Sequence, residues 1–138
     1  MPPILVIEDN SVYRGYLQDA LAAEGVETRL AESGREALQI LKSEAISGVV
    51  ADVIMPEMDG IELVRAVRQR HGRLPILVLS GHSRDVADVY LKAALAVGAT
   101  LTGVKGEGDR DLLRELLAII DFHQQIQRRA GRSGDDAA

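Results

Sequence analysis

Five side chains in this sequence stand where an apolar run stops. Glu8 and Asp9 follow Ile4-Leu5-Val6-Ile7, Asp52 follows Val49-Val50-Ala51, Ser80 closes Ile76-Leu77-Val78-Leu79, and Lys105 comes just after Thr102-Gly103-Val104. If the first and third runs are neighbouring strands, three carboxylates converge on one crevice. Three like charges close together cannot all stay ionised without compensation. An oxygen-loving divalent cation is the natural answer, and Mg2+ takes one or two protein carboxylates plus waters and a phosphate oxygen. With that ion and the Lys105 ammonium, the three carboxylates form a neutral site able to accept a phosphoryl group. A lone serine ending a strand is more often a cap, and a lone lysine is more often solvated surface. Their joint placement is what raises Ser80 and Lys105 to candidates.

The stretch "DVIMPEMDG" carries a second acid, Asp59, seven residues after Asp52. Asp59-Gly60-Ile61-Glu62 reads as an N-cap followed by an acid at N3, a structural role. Asn10 reads the same way for the first helix, which leaves Glu8 and Asp9 unexplained by capping. Pro56 blocks simple helical continuation and holds Met55 extended, so a shaped loop follows Asp52.

Strand-helix alternation must position these groups. Ile4 to Ile7 reads as a strand, and Val12, Tyr16 and Ala20, beside Tyr13, Leu17 and Leu21, give a helical stripe. "VETRLA" alternates like a more exposed strand, and Ser33-Gly34-Arg35-Glu36 supplies a capping box for helix two. "GVVAD", Ile61 to Arg70, "LPILVLS", Asp85 to Val97, "ATLTGV" and Asp109 to about Gln127 continue the alternation. Near-continuous apolar strands between helices predict a parallel sheet covered on both faces, an α/β fold. Gly25, Gly48, Gly72 and Gly98 precede strands, where a helix C-cap calls for a left-handed residue.

The chain has 138 residues and 46% hydrophobic content, enough for one domain with a real core. The reading places that domain at 1–123, with 124–138 as a frayed helix end and a polar disordered tail. The absence of cysteine excludes disulfides and thiolate zinc sites, and His71, His82 and His123 are too scattered for a histidine cluster. A net charge of −5 with 3% aromatics gives little support to direct nucleic-acid binding. No spanning segment or signal peptide is visible, so no membrane association and a cytoplasmic location are expected.

Glu8-Asp9 after strand one, "DVIMPEMDG", "VLSGHS", Gly98-Ala99 and Lys105 together resemble a two-component response regulator receiver domain, from about Ile4 to Phe122. The resemblance implies a flavodoxin-like (βα)5 sandwich with strand order 2-1-3-4-5. It implies Asp52 as phosphoacceptor, and Glu8, Asp9, Asp52 and the Ile54 backbone carbonyl as ligands of Mg2+ or Mn2+. Ser80 and Lys105 would bind the phosphoryl group. The donor would be a phosphohistidine on a sensor histidine kinase or histidine phosphotransfer protein, and the listener a downstream protein. Such a chain promotes only its own phosphorylation and dephosphorylation and is not an enzyme in the ordinary sense. With no output domain visible after the receiver, a stand-alone role is the simplest expectation.

The sequence departs from the family pattern at three places. Thr102 stands where strand five commonly carries an aromatic, leaving the usual aromatic switch absent and space that Ser80 could occupy. Gly106 follows the lysine where many members have a cis proline, and a cis non-proline bond costs ~2.5 to 4 kcal/mol, so a trans Lys105-Gly106 bond is expected. Ile54 and His82 occupy the two positions that influence phosphoryl lifetime. Leu112, Leu113, Leu116, Leu117, Ile119 and Ile120 form a broad apolar face, mostly core, that prompts a homodimer through helix four, strand five and helix five.

A haloacid-dehalogenase-type phosphotransferase needs a second acid two residues after its nucleophile, and position 54 is Ile. A flavodoxin would not place Glu8-Asp9 where strand one meets a phosphate. The stronger alternative is a receiver-fold interaction module that acts without regulated phosphorylation.

Overall fold

A computed structural model describes residues 1–55, 57–81 and 84–137 of the chain. Five strands alternate with five helices: β1 (Ile4–Ile7), α1 (Ser11–Ala23), β2 (Thr28–Ala31), α2 (Gly34–Ser43), β3 (Gly48–Asp52), α3 (Gly60–Arg70), β4 (Ile76–Ser80), α4 (Arg84–Ala96), β5 (Leu101–Val104) and α5 (Asp109–Ala137). All four strand pairings are parallel and the order is β2-β1-β3-β4-β5, as the resemblance implies.

Alternation along the strands divides the core. Leu5, Ile7, Val49, Ala51, Ile76 and Val78 pack with α2, α3 and α4, whereas Ile4, Val6, Val50, Leu77 and Leu79 pack with α1 and α5. Side chains of period two therefore find apolar cover on both faces, which is why these strands read as continuous apolar runs.

The register sets the site. Ile7 pairs with Ala51, so the next residues, Glu8 and Asp52, leave their strands at the same level. Ser80 pairs with Val104, so Lys105 emerges one residue beyond.

Several expected boundaries shift. Strands β2, β4 and β5 start later than the apolar pattern suggested, at Thr28, Ile76 and Leu101. Helix α5 continues to Ala137 instead of ending near Gln127. The segment beyond Gln127 contains no proline, so nothing blocks its i to i−4 hydrogen bonds.

Gly25 and Gly98 have the expected left-handed backbone, with φ of 77° and 118°. Gly48 and Gly72 do not. Gly48 instead opens β3, where an added Cβ would sit 2.5 Å from Ile120 Cδ1. Among the described residues no helix is long and apolar enough to cross a membrane.

Candidate functional site

Glu8 is 1% exposed and Asp52 8% exposed, whereas Asp9 lies on the surface. One carboxylate oxygen from each of the three lies within 4.8 Å of the others. The donor set is all oxygen and all anionic, the chemistry a hard divalent cation needs. Asp59 stays outside this cluster. It is the N-cap of α3, accepting from the Glu62 amide at 2.8 Å, as its spacing predicted. Asn10 likewise caps α1, accepting from the Tyr13 amide at 2.9 Å.

Lys105 reaches into the acids from the end of β5. Its Nζ lies 2.6 Å from Glu8 Oε2 and 3.4 Å from Asp52 Oδ2. Glu8 Oε1 also accepts from the Asn10 amide at 3.1 Å, while Arg14 Nη1 donates to the Glu8 carbonyl at 2.8 Å. Burial pushes the Glu8 carboxyl above its ordinary range, Asp52 adds to that, and the Lys105 hydrogen bond opposes it. Burial likewise raises Asp52, against the Lys105 charge and a hydrogen bond from the Ile54 amide. Both acids are thus held in a setting that disfavours uncompensated negative charge.

Asp52, Val53, Ile54, Ser80, Gly81 and Lys105 line an open crevice of about 210 Å³. Ser80 is fully buried at its edge. The crevice brings a carboxylate, a hydroxyl and an ammonium to one place, the components needed to receive and neutralise a phosphoryl group. His82 lies outside the described residues, as does Pro56.

Two backbone features shape the rim. Glu57, in the loop after Asp52, takes φ 68°, a left-handed conformation uncommon for a residue with a Cβ. Gly60 presses against the strand end: an added Cβ would lie 2.6 Å from the Asp52 carbonyl and 2.8 Å from Val53 Cα. Its amide donates to the Val53 carbonyl at 2.7 Å. Spacing identified the Asp59 cap but not this close approach.

The Lys105-Gly106 bond is trans, as expected. Gly106 has φ 83°, which proline cannot adopt, and its amide donates to both Asp109 oxygens, at 2.9 and 3.0 Å. Thr102 sits half-buried in β5 opposite Val78. An aromatic nevertheless stands beside the lysine, contributed by α1: Lys105 Nζ lies 4.6 Å from the centre of the Tyr13 ring. The Tyr13 hydroxyl donates to Asp109 Oδ2 at 3.0 Å. Sequence pattern put Tyr13 beside Leu17 and Leu21 in the apolar pattern of helix one, of which Val12 and Tyr16 prove exposed, and gave no sign of a partner 96 residues away.

A family model described as the response regulator receiver domain matches residues 4–117. The chain belongs to this family. Receiver domains are phosphoacceptor signalling modules, not ordinary enzymes, and they generally bind Mg2+ at an acidic pocket. Among curated relatives, Response regulator MprA of Mycolicibacterium vanbaalenii is 43% identical over 117 residues, covering 85% of this chain and 49% of that protein. Regulator of RpoS of Escherichia coli is 32% identical over 114 residues, 83% of this chain and 33% of that protein. The chain thus spans half or less of the length of these two relatives.

Solved structures agree in fold. Chemotaxis response regulator CheY4 of Vibrio cholerae superposes with a TM-score of 0.73 at 32% identity, covering 86% of this chain and 98% of that one. The signal receiver domain of an HD domain-containing protein from Pseudomonas fluorescens gives a TM-score of 0.80 at 26% identity, covering 93% and 92%.

Proposed function

We propose that this receiver takes a phosphoryl group onto Asp52 from a phosphohistidine of a sensor histidine kinase or histidine phosphotransfer protein. The observation that carries the reading is the placement of the Lys105 ammonium between Glu8 and Asp52, at the mouth of a crevice that also holds Ser80. An Asp52 oxygen attacks phosphorus as the phosphorus-nitrogen bond of the donor breaks, and the departing imidazole keeps the bonding pair and takes up a proton. Lys105 pairs with the transferred group, and the Ser80 hydroxyl donates to one of its oxygens. Glu8, Asp9, Asp52 and the Ile54 carbonyl would hold Mg2+ or Mn2+, which supplies charge neutralisation at the transferring group.

The product adds acceptor oxygens and negative charge beside Lys105, an electrostatic change that a two-state element can read. Hydrolysis of the acyl phosphate by water returns the site to its resting form. Ile54, 36% exposed at the crevice, stands where it can screen that water. His82 holds the other lifetime position and lies outside the described residues. The listener is a downstream protein or a second copy of the chain, meeting the face of α4, β5 and α5.

Intact-mass measurement after incubation with acetyl phosphate tests the reading, with and without Mg2+, on wild type and Asp52→Ala. A Mg2+-dependent phosphoryl adduct that Asp52→Ala lacks is expected. No adduct in wild type, together with no binding of the phosphoryl mimic beryllium fluoride, would favour the phosphorylation-independent module.

A further inference from the structure

Lys105 carries its charge at the end of a flexible four-carbon stem, so the ammonium is placed only as well as its surroundings hold it. Glu8 and Asp52 draw it inward at 2.6 and 3.4 Å. The stem passes Gly81, where an added Cβ would come within 3.3 Å of Lys105 Cδ. The Tyr13 ring supplies a third contact at 4.6 Å. The ring is itself anchored, because its hydroxyl donates to Asp109 Oδ2 at 3.0 Å. Asp109 is only 7% exposed and accepts the Gly106 amide with both oxygens. Lysine, tyrosine, aspartate and the amide next to the lysine therefore form a closed ring of contacts joining α1, the β5 end and α5. Burial and the Asp109 charge push the phenol well above its ordinary range, so it remains a donor.

We propose that Tyr13 is a positioning residue for Lys105: its ring, anchored by Asp109, holds the ammonium where a phosphoryl group on Asp52 meets it. The proposal rests on the phosphoacceptor reading of Asp52. It gives α1 the task of restraining the lysine, next to a strand that has Thr102 in place of an aromatic.

The test is the rate of Mg2+-dependent adduct formation from acetyl phosphate, followed by intact mass. Wild type, Tyr13→Leu and Tyr13→Phe are compared, each alone and combined with Lys105→Met. Tyr13→Leu is expected to slow the reaction about tenfold, the size of a partly desolvated cation–π contact. Tyr13→Phe keeps the ring, loses the anchor and slows it about two- to threefold. In the Lys105→Met background neither substitution slows it further, because a residue that acts through the lysine has nothing left to act on.

An unchanged Tyr13→Leu rate, or an equal slowing in both backgrounds, would overturn the proposal while leaving Asp52 as phosphoacceptor. If Tyr13→Leu does not fold, the Tyr13→Phe pair makes the same comparison. A wild type that forms no adduct and does not bind beryllium fluoride overturns the Asp52 reading, and this proposal with it.

Discussion

At the scale of single residues, the site is a set of charges that folding has brought together at a cost. Burial is the leading cause of the raised Asp52 carboxyl, and Lys105 offsets only part of it. A group whose folded pKa lies above its unfolded value binds its proton more tightly when folded. Its favourable contribution is complete below the ordinary value of 3.8 and is lost as pH rises through the folded value. In chelator-treated solution near pH 7, Asp52→Asn should therefore unfold at a higher temperature than wild type, with the gap closing as pH falls toward the ordinary carboxylate range. Added Mg2+ should raise the wild-type transition more than that of the mutant. A mutant less stable than wild type at pH 7 would contradict this account. Glu8, Asp9, Asp52, Ser80 and Lys105 were legible in the sequence because each ends an apolar run, and strand ends converge in a parallel sheet. Tyr13 and Asp109 were not legible, since their contact depends on how two helices far apart in sequence meet over one face.

At the scale of elements, caps were the readable part. Ser33, Asp59 and Asn10 accept from the amides that their spacing assigned them. The capping box of α2 is only half as expected: Glu36 Oε2 accepts from the Glu32 amide at 3.1 Å, one residue before the cap. Local spacing identifies a partner side chain, but the path of the entering backbone decides which amide it reaches. Gly60 shows the same limit, because close packing against β3 leaves no periodic signature. Gly60→Ala would force the start of α3 away from the Asp52 carbonyl, at a cost of about 1–3 kcal/mol. Chemical denaturation should record that loss, and the rate of adduct formation should fall with it as the Asp52 loop shifts. Wild-type stability and rate together would show that the gap can open freely.

At the scale of the whole molecule, the α4-β5-α5 face is the surface proposed to pass a change at the site to a partner. Leu113, Leu116 and Ile120 are core, while Leu112, Leu117 and Ile119 are only partly buried. Val86 and Val89 of α4 stand 44% and 68% exposed. If this face pairs with a second copy, light scattering with beryllium fluoride and Mg2+ should show a concentration-dependent rise in mass. Val89→Asp should abolish the rise without preventing beryllium fluoride binding. A monomer mass at all concentrations, with and without the mimic, would remove the homodimer.

The sheet itself distributes stiffness unevenly. Asp52 ends β3, whose residues are all buried and which is hydrogen-bonded to strands on both sides. Lys105 follows β5, an edge strand of half-buried residues held by a single ladder. If the proposed transfer puts a new charge on Asp52 and it pulls on the lysine, the two ends of that pull would not yield equally. The anchor buried and paired on both sides would stay in place and the edge held by one ladder would follow, so the mechanical work of the event would be delivered to β5 and the helices beside it.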